Sequence, residues 1–177
     1  MLQLFTGGMD CKLKKWDTDG KSLAEWTEEK NALTNTSTTS TSQIVNPPFI
    51  TSLAASSRYL AAARCDGVAL FHVETGKQLF YLDDHQEPVC HALLPKPGST
   101  LFTAGNDGSV FLWKLPAQPS RRRGRSSKKP TNACSPGPSL VRKLKAPMKI
   151  NSQSFSHGTL YVCGTSSTIF CIEGLMQ

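Results

Sequence analysis

A pattern of thirteen residues occurs twice in this chain, at Leu4–Trp16 and again at Leu101–Trp113. The two copies align without a gap, and six of the thirteen positions are identical (Leu, Phe, Thr, Gly, Asp and Trp), each displaced by 97 residues. In both copies a short apolar segment is followed by a Gly–x–Asp turn and a second segment ending at Trp, which is typical of a tight β-hairpin. A repeated hairpin restricts the chain to architectures that stack or circle β units.

Two weaker copies of this hairpin lie at Leu60–Phe71 and Leu160–Ile172. The first keeps Asp66 in a turn one residue shorter, and Phe71 stands where the stronger copies have Trp. The closing residues Phe71 and Trp113 are 42 residues apart, within the roughly 40–45 residues of one propeller blade. The other two intervals, 55 and 59 residues, each contain an insertion. We therefore predict an all-β fold, an open partial β-propeller of about three and a half blades that this chain does not close alone.

The periodicity divides the chain into blades and loops. We predict three, four, four and three strands in the successive blades. The predicted segments are a partial blade at 1–26, a Ser/Thr-rich loop at 27–48, a blade at 49–82, the first three strands of a blade at 83–115, a Pro/Gly/basic loop at 116–138, an outer strand at 139–145 and a degenerate terminal blade at 146–177. Neither loop has the composition to bury apolar area, so both fit the surface of the blades.

The Gly–x–Asp turn and the following strand that ends in Trp16–Asp17, with its fuller copy in the third blade, resemble the WD40 repeat. In WD40 proteins a His, a Ser or Thr, an Asp and a Trp form a hydrogen-bonded tetrad inside a blade. The resemblance implies a structural tetrad of His85, Thr103, Asp107 and Trp113, a partial set of Thr6, Asp10 and Trp16 in the first blade, and a degenerate second blade that keeps Asp66 and Phe71. Such a network satisfies buried polar groups and does no catalysis.

Most of the net charge of +7 is concentrated in one short run. Six charges come from Arg121, Arg122, Arg123, Arg125, Lys128 and Lys129. A solvated loop, a patch for nuclear import or an acidic partner, and sequence-independent nucleic-acid binding are the open interpretations. Nucleic-acid binding is the least favoured because no aromatic residue in the run could stack on bases.

Several classes of protein are disfavoured by what the sequence lacks. The six cysteines contain no CxxC pair, so metal-finger spacing is absent and we predict no metal or cofactor. No apolar run approaches the roughly 18 residues of a membrane span, and no secretory signal is recognisable. We therefore expect free thiols and an intracellular protein, in the cytoplasm, the nucleus or both. No nucleophile-elbow, zinc-protease or P-loop motif is present, so we predict no enzyme.

The resemblance implies a non-enzymatic scaffold that binds other proteins, and the propeller geometry points to the turns along one edge of the blades. The candidate partner-binding residues are Met9, Arg64, Gln86, Glu87 and Asn106. Some WD40 proteins are substrate-receptor adaptors of ubiquitin ligases and carry a Trp-Asp-x-Arg motif. Here Trp16 and Asp17 are followed by Thr18 and Asp19, so this motif is absent. The alternative is a nucleic-acid- or chromatin-associated factor acting through Arg121–Lys129.

Overall fold

The chain folds entirely through β-strands in the residues that the computed structural model describes, which are 3–26, 49–95, 98–116 and 137–175. These residues form fourteen strands in four antiparallel sheets of three, four, four and three strands, the number that the sequence predicted. The all-β fold and the open partial propeller are thereby confirmed. The Ser/Thr-rich segment 27–48 and the basic run at 121–129 lie outside the described residues, and the predicted division of the chain into blades and loops stays a prediction.

Each sheet is a meander whose strands follow chain order. The first sheet contains β1 (Leu4–Gly7), β2 (Leu13–Trp16) and β3 (Ser22–Trp26). The second contains β4 (Ile50–Ala55), β5 (Tyr59–Arg64), β6 (Gly67–His72) and β7 (Gln78–Leu82). The third contains β8 (Val89–Leu93), β9 (Thr100–Gly105), β10 (Ser109–Lys114) and β11 (Ser139–Lys145). The fourth contains β12 (Ile150–Ser156), β13 (Thr159–Gly164) and β14 (Phe170–Ile172).

The two strong copies of the hairpin form with the same register. Leu4 lies opposite Trp16 in the first sheet, and Leu101 lies opposite Trp113 in the third. Directly opposite residues of an antiparallel pair share one face of the sheet. The shared Leu and Trp therefore stand together on the same face in each copy, and the shared Thr stands on that face two residues along.

Three apolar clusters hold the four sheets in a row. One cluster joins the first and second sheets, one the second and third, and one the third and fourth. We call the face of a sheet that points toward the preceding sheet its leading face, and the opposite face its trailing face. The third sheet buries both faces, the leading one through Leu101 and Trp113 and the trailing one through Phe102 and Leu112. Burial on both faces explains why its central strands read as continuous apolar runs.

The hairpin turns between the second and third strands of each four-stranded sheet lie on one edge of the array, beside the segments that enter the innermost strands. In the third sheet the Asn106 N–H donates to the Pro88 carbonyl (2.9 Å), and the Ala146 N–H donates to the Gly108 carbonyl (2.8 Å). In the equivalent turn of the first sheet, the Gly8 carbonyl accepts a hydrogen bond from the Ile50 N–H (3.2 Å). We call this edge the turn rim, defined by the turns at 7–13, 64–67 and 105–109 and the entering segments 83–88 and 146–149.

Candidate functional site: the His85 network and the turn rim

A continuous chain of hydrogen bonds runs across the leading face of the third sheet to its turn. The Trp113 Nε1–H donates to Thr103 Oγ1 (3.1 Å), and Thr103 Oγ1 lies 2.7 Å from His85 Nε2. His85 Nδ1 lies 3.1 Å from Ser109 Oγ, which donates to Asp107 Oδ1 (2.6 Å). Thr103 is on β9 and Trp113 on β10, while the loop after β7 delivers His85. The structure thus brings the four predicted residues together, with Ser109 as a fifth.

The hydrogen bonds of this network can be assigned a donor and an acceptor at every step. The hydroxyl proton of Ser109 goes to the Asp107 carboxylate, so Ser109 Oγ is left to accept from His85, whose Nδ1 carries the proton. The Nε2 atom of a neutral imidazole then accepts from the Thr103 hydroxyl, and Thr103 Oγ1 accepts from the Trp113 indole. Each side-chain atom that takes part in these hydrogen bonds therefore has a partner. His85 is neutral, with its proton on Nδ1.

Packing keeps His85 in that state. Its ring stacks on Phe111 with centroids 4.1 Å apart and an interplanar angle of 12°. Burial is the main cause that lowers the pKa of His85 to about 4, with Lys143 adding to the shift and Asp107 opposing it. Both ring nitrogens are already engaged by Thr103 and Ser109. The ring has no free lone pair with which to take a proton from a substrate.

Asp107 is held as a carboxylate. Burial alone would raise its pKa, but hydrogen bonds from the Ser109 side chain, from Lys145 and from the Ser109 backbone lower the pKa of Asp107 well below its usual range. The ammonium of Lys145 on β11 lies 2.9 Å from Asp107 Oδ2, so the outer strand is tied to the turn. Gly105 is required beside this cluster, because a Cβ there would meet Asp107 Oδ1 at 2.6 Å and His85 Nδ1 at 2.8 Å.

Sequence reasoning missed Ser109, which links His85 to Asp107. The signal was available in the order Asp107-Gly108-Ser109, since an Asp side chain in a turn accepts from the backbone two residues further on. The Ser109 N–H does donate to Asp107 Oδ1 (3.0 Å), and this places its hydroxyl against the same oxygen. A tetrad template without the turn geometry does not include this residue.

The first sheet has only the beginning of such a network. The Trp16 Nε1–H donates to Thr6 Oγ1 (2.8 Å), as in the third sheet, but this pair is exposed. Asp10 accepts from the Lys12 N–H (3.3 Å) within its own turn. Of the predicted partial set, Thr6 and Trp16 are in contact, and Asp10 serves only the turn.

The second and fourth sheets place apolar residues where the network would run. Ala62 and Val162 occupy the position of Thr103, as the strand registers show, so neither sheet has the central hydroxyl. Phe71 is buried at the Trp position. Asp66 lies 3.4 Å from the Arg64 guanidinium (Oδ1 to Nε), away from Phe71.

The candidate partner-binding residues all belong to the turn rim but differ in accessibility. Met9 is 81% exposed, and Gln86 and Glu87 are also exposed. Asn106 is half-buried, and its backbone N–H donates to the Pro88 carbonyl. Arg64 differs from the expectation of an accessible side chain: it is only 6% exposed, because it folds into the space between the first two sheets beside Leu13 and Trp26.

The described residues were also searched for metal sites, membrane-spanning helices and disulfides. No group of three or more His, Cys, Asp or Glu side chains could hold a metal ion there. The same residues contain no helix long and apolar enough to cross a membrane. The five described cysteines, Cys11, Cys65, Cys90, Cys163 and Cys171, are free thiols.

Comparison with known proteins agrees with this geometry. The family model "WD domain, G-beta repeat" matches residues 76–114, the stretch that contains all five network residues. The chain contains a WD40 repeat. WD40 domains generally mediate protein–protein interactions, and they are typically non-enzymatic. No curated protein matches the sequence.

Two solved structures have the same fold as this WD40-containing chain. The computationally designed Ika4 protein matches with a TM-score of 0.66 at 15% identity, over 97% of this chain and 84% of its own. The computationally designed Ika8 protein matches with a TM-score of 0.64 at 15% identity, over 96% of this chain. This chain spans 42% of the length of Ika8. At this identity the likeness shows the fold alone.

Proposed function

We propose that this protein is a non-enzymatic WD40 scaffold that binds other proteins through the turn rim. The observation that carries the proposal is the full engagement of His85: Thr103 and Ser109 occupy both ring nitrogens. In this interpretation the tetrad of His85, Thr103, Asp107 and Trp113 is structural, and it fixes the rim rather than performing chemistry.

The exposed side chains of the rim support the choice of surface. Met9, Gln86 and Glu87 are exposed on turns that backbone hydrogen bonds hold to the neighbouring segments. Loops on a rigid scaffold are the usual carriers of binding function in repeat proteins. We propose that Met9, Gln86 and Glu87 contact the partner directly. Asn106 adds a half-buried contact on the turn rim. Arg64 does not contact the partner and instead supports the rim from its buried position between the first two sheets.

The test compares two triple variants in cross-linking pull-downs from cell extract. In the rim variant Met9, Gln86 and Glu87 are changed to Ala. In the control variant the exposed β11 residues Leu140, Val141 and Arg142 are changed to Ala. We expect proteins retained by the wild type and the control to be lost from the rim variant, because rim contacts are removed while the blades are intact. Identical retention by all three would contradict the proposal, and so would turnover of a substrate that is lost in a folded His85→Ala variant.

Our proposals on the cellular location, the subfamily and the type of partner rest on the sequence alone. We propose an intracellular location, cytoplasmic or nuclear, and a resemblance to WD repeat-containing protein 53 carried by Leu101–Trp113, the basic run and Ile169–Glu173. A substrate-receptor adaptor role follows only from the family, since Trp-Asp-x-Arg is absent. The nucleic-acid alternative depends on Arg121–Lys129 and is tested by deleting that run. If salt-sensitive DNA or RNA binding is unchanged, the alternative is wrong.

A further inference from the structure

The outermost strand of the third sheet, β11 (Ser139–Lys145), has an open hydrogen-bonding edge. Within the described residues β11 pairs with β10 alone, so the N–H and C=O groups of alternate residues point away from the sheet without a strand to bond. β11 has seven residues, whereas the outermost strands of the other sheets have five, five and three. Its open edge results from the strand order of its own sheet, because three further strands follow β11 in the chain.

Exposed apolar side chains accompany this edge. Leu140 is 43% exposed and Val141 is 58% exposed, although both lie in a strand. The pairing register with β10 skips Val141, which forms a bulge between Leu140 and Arg142. On the outer strand of the second sheet, β7, the side chains other than Tyr81 are half-buried or buried. The apolar area of β11 is therefore available to a strand that adds to its edge.

The two lysines of β11 are bound to their own sheet. Lysine on an outer strand commonly discourages pairing with another chain. Here the Lys143 ammonium lies 4.7 Å from the centroid of the Phe111 ring, and Lys145 pairs with Asp107. Lys143 thus adds a positive charge to the leading face of β11, and Arg142, which is exposed, adds one to the trailing face. A strand that adds to this edge meets a cation on either face.

The part of the chain that contains this edge is strongly positive. Residues 114–145 include ten of the twenty lysines and arginines and no Asp or Glu. The rest of the chain has the other ten against thirteen Asp or Glu, a net charge of −3. The connection between β10 and β11 supplies six of the ten positive charges, so like charge disfavours pairing of that connection with β11 itself. Charge complementarity favours an acidic occupant.

We propose that β11 binds an acidic, extended segment of another protein, which adds to the third sheet as a fifth strand. Main-chain hydrogen bonds hold the segment on the open edge, its carboxylates face Lys143 or Arg142, and its apolar side chains cover Leu140 and Val141. A peptide fits this edge better than a nucleic acid does, because the edge offers N–H and C=O groups to another backbone. β11 also has no aromatic residue on which a base could stack. The site is separate from the turn rim and does not depend on the function proposed for the rim.

The first measurement is the binding of a fluorescein-labelled peptide of alternating Val and Glu to the full chain, followed by fluorescence anisotropy. The peptide has seven residues, the length of β11. A peptide of alternating Val and Lys is the charge-inverted control. We expect saturable binding of the Val/Glu peptide, weaker as salt is raised, and no binding of the Val/Lys peptide. Failure of the Val/Glu peptide to bind, or equal binding of the two peptides, would overturn the proposal.

The second measurement locates the site with single charges. Arg142→Glu should weaken binding of the Val/Glu peptide about fivefold, because an attraction on the trailing face becomes a repulsion. Lys77→Glu is the matched control, since Lys77 is exposed beside the outer strand β7 and the net charge changes equally. Equal weakening in the two variants would show that overall charge governs binding, and it would overturn the site. Should Arg142→Glu lose its β-sheet circular dichroism, Arg142→Gln tests the same contact.

The two triple variants of the pull-down separate this site from the turn rim. The rim variant of Met9, Gln86 and Glu87 should bind the Val/Glu peptide as the wild type does. The β11 variant of Leu140, Val141 and Arg142 should lose the peptide and keep the proteins that bind the rim. Loss of the peptide from the rim variant alone would overturn the site on β11.

The third measurement is amide hydrogen exchange of β11 with and without the Val/Glu peptide. The amide protons of alternate residues that point away from β10 should exchange about tenfold more slowly when about nine-tenths of the sites are filled, because a new strand bonds them. Peptide binding without this slowing would overturn strand addition. Binding of an oligothymidylate that is weakened by Arg142→Glu, with no binding of the peptide, would assign the edge to nucleic acid and overturn the proposal.

Discussion

The hairpins Leu4–Trp16 and Leu101–Trp113 have the same sequence pattern and the same register. They differ in burial and in the hydrogen bonds that they make beyond the hairpin. In the third sheet Thr103 and Trp113 are buried and continue into His85 and its partners. In the first sheet the equivalent pair has the same indole–hydroxyl bond and is exposed. The comparison shows that the repeated pattern encodes the hairpin itself. Burial and the full network require a preceding sheet and a histidine from the preceding loop.

The turns of the two hairpins differ in composition as well as in surroundings. Gly108 has a φ of +85° in the third sheet, and Cys11 has a φ of +61° at the equivalent place in the first. The next residue is Ser109 in one and Lys12 in the other. Lys12 pairs with Glu25 instead of linking to a histidine, and hydrogen bonding between them raises the pKa of Lys12 and lowers that of Glu25. The first turn is thus stabilised at the surface, whereas the third is stabilised inside.

The largest expected contrast is between Thr103→Val and Thr6→Val. Thr103→Val should lower the free energy of unfolding by about 2–4 kcal/mol, because it leaves the Trp113 indole and His85 Nε2 without partners in a buried site. Thr6→Val should cost less than about 0.5 kcal/mol, because water can bond the exposed Trp16 indole. Urea denaturation followed by tryptophan fluorescence measures both. Equal losses in the two variants would show that the network does not distinguish the two hairpins.

The next contrast has opposite signs in the two turns. Gly108→Ala should lower the free energy of unfolding by about 1–3 kcal/mol, because φ is positive and the new Cβ would meet the carbonyl oxygens of Ala146 and Met148 at 2.5 Å. Cys11→Gly should raise it by about 0.5–1 kcal/mol, because glycine adopts the left-handed region without the penalty paid by cysteine. Thermal unfolding checks both. Stabilisation by Gly108→Ala, or a loss on Cys11→Gly, would mean that backbone conformation is not what separates the turns.

The third contrast is a dependence of stability on pH that His85 of the third sheet supplies. The pKa of His85 is about 4 in the folded chain and about 6.5 when unfolded. Between these values the unfolded chain binds the extra proton, so the free energy of unfolding falls as the pH drops from 6.5 to 4. The partly exposed ring limits the loss to about 1–2 kcal/mol. Stability is then measured by urea denaturation at several pH values.

His85→Gln tests the source of this pH dependence, because it should flatten the profile between pH 6.5 and 4. Burial also lowers the pKa of His91, so some slope remains in this variant. The low pKa of Asp107 adds its own loss only below about pH 4. An unchanged slope in His85→Gln would contradict the neutral, buried histidine.

Much of the fold could be predicted from sequence because strand periodicity is a local property. The predicted counts of three, four, four and three strands are those of the four sheets in the described residues. The four tetrad residues could be listed because their spacing follows a known repeat. Ser109 and the burial of Arg64 could not, since both depend on which side chains converge across a turn or between two sheets.

The hairpins, their register and the residue types on each face follow from the local order of the residues, because alternation and turn chemistry act over a few neighbouring residues. Which copy of the repeat is buried could not be predicted from this local order, since burial depends on the sheet that packs against the hairpin. The direction of the hydrogen bonds through His85 also depends on the packed structure, because the position of the imidazole proton is fixed only when both of its partners are in place. Leu4–Trp16 and Leu101–Trp113 are therefore one local structure in two different environments.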